Sequence, residues 1–334
     1  MAGQPSPLGV SLRDGGINVA VVSRHATAIF LCLYDEAGED EFYRFRLPAR
    51  LGDVHYGFIA GVGEGARYGV RVEGPWDAAR GLYFDSSKLL VDPYARQLDR
   101  PFHHVPELLE RGIDTGPLVP KGIVRAPPAP ARPLPPHRPR FIYELPVKAF
   151  TKRHPAVPEA LRGTVKALAE PAVISHLNTL GVDTVELMPL MAWIDERHLT
   201  ALGLANGWGY NPVTFMAPDP RLAPGGFADI RQAVAALHAA DIRVVLDVVF
   251  NHTGESDEGG TTLSLGGLDN ALYYKIENGL LVNDTGCGNT IACDRPAVIQ
   301  LVLDAMRCWV EETGLDGFRF DLATVLGQIG RAHV

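Results

Sequence analysis

The sequence predicts a multidomain protein in which an all-β sandwich is followed by a parallel α/β unit. Three observations support this. Residues 8–98 contain short apolar segments of β-forming residues, residues 126–140 contain seven prolines, and after the prolines strand-like and helix-like segments alternate four times. The expected units are therefore a sandwich at 8–98, a connecting segment at 99–140 and the α/β unit at 141–328.

The N-terminal segment has the pattern of a sandwich. Residues 17–22 and 28–34 are short, apolar and rich in β-forming residues, and polar turns separate them. Residues 68–72 alternate with a period of two, as a half-buried strand does. Because no helical periodicity interrupts these segments, we predict a small β-sandwich. Four aromatic residues are expected in its core or at an interface: Trp76, Tyr83, Phe84 and Tyr94.

Prolines dominate the end of the connecting segment. Each proline lacks a backbone donor and fixes φ, so residues 126–140 are predicted to form an extended linker. Beyond it, strands are predicted at 141–145, 182–187, 243–250 and 317–322.

Three amphipathic helices separate these strands. The first covers about 171–180 and ends at Gly181, and the second begins near Phe227, with apolar residues at spacings of three and four. The third begins near Pro296 and ends at Gly314. Residues 251–293 are predicted to form a long loop. The alternation of strands and helices is typical of parallel βαβ units.

Composition excludes several function classes. The net charge is −8 without a basic cluster, which argues against a nucleic-acid partner, and no apolar run approaches the roughly 18 residues of a membrane span. The N-terminus lacks the pattern of a secretory signal. The four cysteines show no CxxC spacing, so we expect neither a zinc site nor a disulfide scaffold but free thiols in a reducing cytoplasm: Cys32, Cys287, Cys293 and Cys308.

Charged and polar residues follow the third predicted strand. Asp247 lies inside an otherwise apolar strand, where a charge costs several kcal/mol unless partners compensate it. Asn251 and His252 come directly after the strand. In a parallel barrel, active-site groups gather at this end of the strands, so we predict a functional site here. The alternative is a structural carboxylate bound by backbone donors.

The fourth predicted strand, which we expect to be buried, carries Arg319 and Asp321. The two residues are two positions apart, so both side chains point to the same side, and Phe318 and Phe320 point to the other. A guanidinium beside a carboxylate typically lowers the carboxyl pKa by about 1–3 units. Asp321 is therefore a candidate nucleophile, with a structural ion pair as the alternative.

Aromatic residues follow the second predicted strand. Trp208 and Tyr210 lie in the loop after it, where an aromatic ring can stack on a sugar. Taken alone, such a pair is more often part of a core.

The ordered set of motifs resembles bacterial glycogen debranching enzymes of the isoamylase type, in the α-amylase family of glycoside hydrolases. The matching segments cover nearly the whole chain: 68–75, 88–95, 185–189, 208–212, 247–253, 267–270, 283–286 and 317–327. The resemblance implies a carbohydrate-binding sandwich before a (β/α)₈ barrel, here only its first half, truncated after strand 4. It implies no cofactor and no metal, and a glycogen or branched α-glucan partner.

The resemblance also implies roles for individual residues. Asp321 would be the nucleophile and Arg319 its partner, in retaining hydrolysis of α-1,6 branch linkages. Asp247 and His252 would contact the sugar, and Tyr210 would stack on it; Asn251 and Trp208 are further substrate-binding candidates. The general-acid Glu of the family lies on a later strand and is absent from this chain.

Three departures from the family pattern stand out. Pro146 replaces a usual His in the first barrel strand, where a proline would remove a ladder donor, and Ala149 replaces a usual Gly. The last residues, 329–334, are what a common sequencing-library adapter would encode, so we interpret them as a non-native tail. Because the general-acid Glu is absent, we expect this chain itself to be inactive.

Alternatives remain within and outside the enzyme class. A maltooligosyltrehalose trehalohydrolase or a branching transferase would share the sandwich, Asp247, His252 and Asp321. A non-catalytic fragment would only bind α-glucan. The flank 322–327 and the loop 283–290 favour the debranching enzyme. The sequence does not determine the oligomeric state.

Overall fold

A computed structural model describes residues 3–327; the interpreted tail at 329–334 lies outside them. The N-terminal part forms two antiparallel four-stranded sheets, in the orders β1-β2-β6-β5 and β10-β7-β3-β4. The strands are β1 (Gly9–Arg13), β2 (Gly16–Val22), β3 (Ala28–Tyr34), β4 (Glu41–Arg46), β5 (Ala49–Leu51), β6 (Val54–Ala60), β7 (Arg67–Glu73) and β10 (Gly122–Ile123), and a small hairpin adds β8 (Trp76–Asp77) and β9 (Leu82–Tyr83).

Alternating apolar residues of the two sheets build the core of the N-terminal part. Ile29 and Leu31 of β3 and Val70 and Val72 of β7 are almost fully buried, with the period of two that the sequence predicts. Of the four aromatic residues expected in a core or interface, Phe84 is buried and Tyr94 packs against the core, and Tyr83 is half-buried. Trp76 differs, since 46% of its surface is exposed.

Part of the connecting segment belongs to the N-terminal sheets. Its residues 122–123 form β10 and pair with β7, so the chain returns to the N-terminal sheets after residue 98. Residues 124–141 then run without helix or strand, as the prolines predict. This stretch is held against the α/β unit, because Ala131 N–H donates to the Glu311 carbonyl at 2.6 Å and Leu134 N–H donates to Asp316 at 2.8 Å.

Four parallel strands form the sheet of the α/β unit. Their order is β11 (Ile142–Leu145), β12 (Thr184–Leu187), β13 (Arg243–Val248) and β16 (Gly317–Phe320). The three long helices lie where the sequence predicts them: α2 (Pro171–Leu180), α4 (Phe227–Ala239) and α6 (Pro296–Thr313). Each begins with proline or phenylalanine, and a glycine follows the last residue of α2 and of α6. Two short helices accompany them, α1 (Val147–Thr151) and α3 (Arg197–Thr200).

Gly181 and Gly314 end their helices in the left-handed conformation, at φ 73° and 80°. The apolar faces of the long helices join the leucines of the strands in one core, which continues into the N-terminal sheets.

Two expectations for the strands are corrected. Pro146 lies outside β11, because Leu145 is the last paired residue and Pro146 precedes α1, with Ala149 inside that helix. No ladder bond is therefore lost. The fourth strand is not buried, since Arg319 is exposed and the other three residues of β16 are only half-buried.

The predicted loop at 251–293 contains regular structure. It holds α5 (Leu265–Tyr273) and a hairpin of β14 (Ile276–Glu277) and β15 (Leu280–Leu281). The helix is interrupted at Asp269, whose backbone is extended at φ −174° and ψ 85°. We call residues 251–293 the docking segment, because its middle part, residues 263–279, contacts the N-terminal part of the chain.

Asp269 fixes the docking segment to the N-terminal sheets. Its carboxylate is fully buried and accepts hydrogen bonds from the backbone N–H groups of Arg24 and His25 at 2.8 Å and from the Ser23 hydroxyl at 3.2 Å. His25 Nδ1 lies 2.9 Å from the same carboxylate. A buried charge is tolerated only with such partners, so this contact specifies one arrangement of the two units.

Among the described residues no helix has the length and apolar character needed to cross a membrane.

We predict that Asp269→Ala destabilises the protein strongly. It leaves the partly buried backbone N–H groups of Arg24 and His25 without their acceptor, at about 1–3 kcal/mol each. Asp53→Ala is the matched control, because Asp53 also contacts Arg24, through a surface ion pair at 3.0 Å whose loss costs about 0–1 kcal/mol. Urea titration of both variants measures the difference, and equal losses of unfolding free energy would contradict the role of Asp269.

Candidate active site

One face of the parallel sheet is polar. In register, Glu144 pairs with Glu186, and two residues further along Asp247 pairs with Arg319. Because paired residues of parallel strands point to the same side and side chains alternate, these four residues share a face. The leucines between them point to the other side, into the core. Charges that lie far apart in the sequence are thus brought together by register alone.

Arg319 links two carboxylates on this face. Its Nη1 donates to both oxygens of Asp247 at 3.1 Å and to Asp321 Oδ1 at 3.0 Å. Asp247 is 1% exposed, whereas Arg319 is 44% exposed. The guanidinium therefore offsets the repulsion between a buried and a more accessible carboxylate. Phe318 and Phe320 pack against the hydrophobic core instead.

Burial dominates the electrostatics of the polar face. Burial, reinforced by Asp321, raises the pKa of Asp247, while the Tyr210 hydroxyl and Arg319 act in the opposite direction. The Tyr210 hydroxyl donates to Asp247 Oδ2 at 2.5 Å. Burial also raises the pKa of Glu186, and the charges of Asp247 and Glu144 add to that effect. On this face, burial therefore disfavours the charged forms of both Asp247 and Glu186.

Asn251 and His252 connect Asp321 to the loop of Tyr210. Asn251 Nδ2 donates to the Asp321 carbonyl at 2.8 Å and to Asp321 Oδ2 at 3.1 Å. His252 Nε2 donates to the Tyr210 carbonyl at 2.9 Å, and His252 Nδ1 lies against the Asn251 side-chain amide. Burial lowers the pKa of His252, while the hydrogen bond to the Tyr210 carbonyl acts in the opposite direction.

A strained turn presents Asp321. Its N–H donates to the Val248 carbonyl at 3.0 Å, which keeps Asp321 beside the end of β13. The next residue, Leu322, is left-handed at φ 44°, a conformation that a branched side chain rarely adopts. Strain of this kind is found preferentially at functional sites.

Tyr210 and Trp208 occupy different positions. Gly209 between them has φ 83°, and a Cβ there would approach the Pro189 carbonyl oxygen to 3.0 Å, so the turn requires glycine. This turn directs Tyr210 to Asp247. Trp208 is 68% exposed and meets the Tyr210 ring edge-on at 6.5 Å, so it lies at the rim rather than in the hydrogen-bonded cluster.

The loop 283–290 braces the start of the docking segment. Asn289 Nδ2 donates to the carbonyls of Thr253 and Ser256 at 2.9 and 2.8 Å, and its Oδ1 accepts from Thr253 N–H at 2.9 Å. Sequence reasoning singled out this loop but not Asn289. It also missed Glu144 and Glu186, which share a face with Asp247 only through the register of the strands.

Six of the seven predicted site residues lie in one hydrogen-bonded cluster, and Trp208 borders it. No group of three or more potential metal ligands occurs within residues 3–327.

Comparisons with known proteins point to carbohydrate chemistry. Residues 7–95 match the family model of carbohydrate-binding module 48, the isoamylase N-terminal domain. A glycogen debranching enzyme of Klebsiella pneumoniae subsp. pneumoniae is 43% identical over 98% of this chain and 51% of its own length. One of Yersinia enterocolitica is 44% identical, with the same shares covered. The chain therefore spans about half the length of the curated relatives it matches.

Solved structures agree on the fold. A pullulanase of Anoxybacillus sp. LM18-11, complexed with maltotetraose, superposes with a TM-score of 0.76 at 26% identity, over 97% of this chain and 47% of that one. A type I pullulanase of Bacillus subtilis, complexed with maltose, gives 0.73 at 24% identity, over 96% and 43%. The N-terminal sheets and the parallel sheet together are thus of the pullulanase type.

We predict that Arg319→Met changes the pH dependence of stability. Loss of the cation should raise the pKa of Asp247 further, because Arg319 favours the charged form of this carboxyl group. A carboxyl pKa that is higher in the folded protein gives stability that is present below the unfolded value of about 3.9 and is lost as the pH rises through the folded value.

The unfolding free energy of Arg319→Met should therefore fall increasingly below that of wild type above about pH 4. Denaturant titrations at several pH values measure this trend. The double variant Arg319→Met/Asp247→Asn is the control, since it lacks the titrating group. A stability difference that does not vary with pH would contradict the coupling.

Proposed function

We propose that this chain, a relative of bacterial glycogen debranching enzymes, supplies the catalytic nucleophile of an active site. The reaction would be the hydrolysis of α-1,6 branch linkages. The substrates would be glycogen and limit dextrins. The observation that carries the proposal is Arg319, which joins Asp247 and Asp321 at the ends of neighbouring parallel strands. Active-site groups of parallel barrels gather at this end of the strands.

We further assign the parallel sheet to the first half of a (β/α)₈ barrel. The strands follow each other in chain order, β11-β12-β13-β16, and all pairs are parallel. A helix lies between successive strands, as in βαβ units. The polar face with Glu144, Glu186, Asp247 and Arg319 would face the barrel interior.

The cluster fits the nucleophile of a retaining glycosidase. In our proposal Asp321 attacks the anomeric carbon and forms a covalent glycosyl-enzyme, while a second carboxyl group protonates the leaving oxygen. We assign that general acid to a Glu on a later strand, outside this sequence. The Asn251 side-chain amide donates a hydrogen bond to the Asp321 carboxylate, and the Arg319 guanidinium lies beside the same carboxylate. No metal is needed for these steps.

The remaining residues would bind the sugar. Asp247 and His252 are proposed to contact hydroxyl groups at the cleavage subsite, and the Tyr210 ring to stack on the sugar face. Trp208, at the rim, would contact a neighbouring unit. A second candidate function is α-glucan binding without catalysis, which the match of residues 7–95 to a carbohydrate-binding module favours.

We predict that the complete gene product releases linear chains from a branched limit dextrin and that Asp321→Asn lowers this rate on the order of 10⁴-fold or more. The amide keeps the shape of the side chain but is a poor nucleophile. Asp304→Asn is the control, because Asp304 is similarly exposed, at 22% against 20%, but lies on α6. Analysis of the products separates chain release from formation of new branches.

An Asp321→Asn enzyme with normal turnover and an unchanged melting temperature would remove Asp321 from its role. New branches instead of released chains would favour a transferase. Binding of limit dextrin without any turnover by the wild type would favour the non-catalytic function.

We predict that Tyr210→Ala and Tyr210→Phe lower kcat/KM by different amounts, because together they separate the contribution of the ring from that of its hydroxyl. Both lose the hydrogen bond to Asp247, but only Ala loses the ring, whose contact is worth about 1 kcal/mol, or roughly fivefold in kcat/KM. The alanine variant should therefore be about fivefold less efficient than the phenylalanine variant. Equal kcat/KM values for the two would show that Tyr210 does not stack on substrate.

A further inference from the structure

A cavity of about 420 Å³ lies in the N-terminal part of the chain, away from the candidate active site. It is found at the edge of the two sheets, where the chain crosses from the end of β4 at Arg46 to the start of β5 at Ala49. Ala28 of β3 and His55 of β6 also border it. Both sheets and the crossover between them therefore contribute to one cavity.

The charged residues that line this cavity are cations. Arg46 and Arg50 border it, and among the described residues none that lines it is acidic. Asp53, whose charge acts on His55, is already paired with Arg24 at 3.0 Å. Two guanidinium charges thus border a cavity whose described lining contains no carboxylate.

Arg50 is held at the cavity by backbone acceptors. Its Nε donates to the Gly52 carbonyl at 2.8 Å, and its Nη2 donates to the Arg24 carbonyl at 2.7 Å. Its Nη1 donates to the Ala26 carbonyl at 3.3 Å. These bonds use three of the five N–H donors of a guanidinium, so donors remain for a ligand. Because the side chain is already positioned, a ligand would not have to order it.

His55 adds a buried ring nitrogen without a partner. The residue is 5% exposed, and its Nε2 has no hydrogen-bond partner among the described residues. Buried polar atoms normally find partners, so an unpaired nitrogen at a cavity wall indicates a ligand that provides one.

The register of β5 and β6 places His55 directly opposite Arg50, so the two side chains point to the same side. Burial and the charge of Arg50 lower the pKa of His55, while a hydrogen bond with the Ser23 backbone and the charge of Asp53 act in the opposite direction. Like charges directly opposite each other repel. An anion between the two side chains would offset this repulsion and accept a hydrogen bond from each.

We propose that this cavity binds a phosphate group, carried by inorganic phosphate or by a small phosphate monoester. The planar fork of an arginine matches the geometry of phosphate oxygens, and a monoester offers three acceptor oxygens for Arg46, Arg50 and protonated His55. A hydrogen bond to the charged form favours that form, so binding would be coupled to proton uptake by His55. The site uses none of the residues that we assign to hydrolysis, so it does not depend on the proposed function.

The volume and the lining leave room for an organic group beside the phosphate. Pockets that bind small molecules usually measure about 300–1,000 Å³, and this cavity lies within that range. Leu47 and Pro48 form an apolar part of its wall. The phosphate would lie at the arginines, and the remainder of an ester would contact these two residues.

The cavity is connected to the loop that the docking segment contacts. Arg50 donates to the carbonyls of Arg24 and Ala26 in this loop. The N–H of Arg24 in turn donates to the Asp269 carboxylate at 2.8 Å. A ligand on Arg50 would therefore stabilise the loop to which Asp269 binds. Phosphate should accordingly raise the melting temperature, because a ligand that binds only the folded state stabilises that state.

The first test measures phosphate affinity with and without Arg46. Calorimetric titration with inorganic phosphate should show one saturable site, and Arg46→Gln should weaken binding about tenfold, the loss expected for a hydrogen bond to a charged group. Arg46 is exposed at the end of β4, so its melting temperature without ligand should be unchanged. Arg13→Gln is the matched control, since Arg13 is exposed at the end of β1, outside the cavity. Equal losses in both variants, or no saturable binding at millimolar phosphate, would overturn the proposal.

The second test examines the proton on His55. Sulfate is the probe, because its charge does not change between about pH 5 and 8, the range in which histidine titrates. Wild-type affinity should fall as the pH rises, since the protonated ring that donates to the anion is lost. His55→Gln keeps a hydrogen-bonding side chain but cannot take up the proton, so its affinity should not vary with pH.

The other charged groups around the ring are the same in both proteins: Arg24, Arg46, Arg50 and Asp53. An identical pH trend in wild type and His55→Gln would therefore remove His55 from the site.

A third measurement distinguishes the two sources of phosphate. Tighter binding of glycerol 3-phosphate than of inorganic phosphate would identify a monoester as the ligand, and the reverse order would identify the free anion. Acetate that binds as tightly as phosphate would overturn the assignment to a phosphate group, because a carboxylate has only two oxygens for the three donors.

Discussion

The arrangement of this protein depends on the buried carboxylate of Asp269. It accepts hydrogen bonds from three consecutive residues in the loop between β2 and β3, Ser23 to His25, and thereby fixes a segment that belongs to the α/β unit. Tyr273 extends this contact, because its hydroxyl donates to the Val22 carbonyl at 3.0 Å. A buried charge without these donors would cost several kcal/mol, so any other relative position of the two units is disfavoured.

The docking segment transmits this constraint to the candidate site. It begins with Asn251 and His252, which contact Asp321 and the Tyr210 loop, and Asn289 near its end braces the residues that follow His252. Glu255 fixes the part between, since its carboxylate accepts from the N–H groups of Leu263, Ser264 and Gly266 at 2.7–2.8 Å. One segment thus contacts both the cluster around Asp321 and the N-terminal sheets.

The sequence predicted those features that depend on local chemistry. The helices α2 and α6 carry proline at the start and glycine after the end, and Asp247 and Asp321 were recognisable as charges among apolar strand residues. It did not predict α5, because the interruption at Asp269 breaks the helical period. It missed Glu144 and Glu186, because only the register between strands shows that they share a face with Asp247. Residues 122–123 are too short a strand to show a period at all.

The same physical distinction explains why the joint between the two parts could not be predicted from the sequence. Besides Asp269, the joint depends on Asn270, whose side-chain amide donates to the Gly81 carbonyl at 3.0 Å, and on the Tyr83 hydroxyl, which donates to the Gly279 carbonyl at 3.0 Å. These partners lie 189 and 196 positions apart in the sequence, so no local pattern reveals them. Residues 255–262 are anchored by Glu255 on one side and Asn289 on the other. The contacts of the docking segment therefore connect the N-terminal sheets to the residues around Asp321.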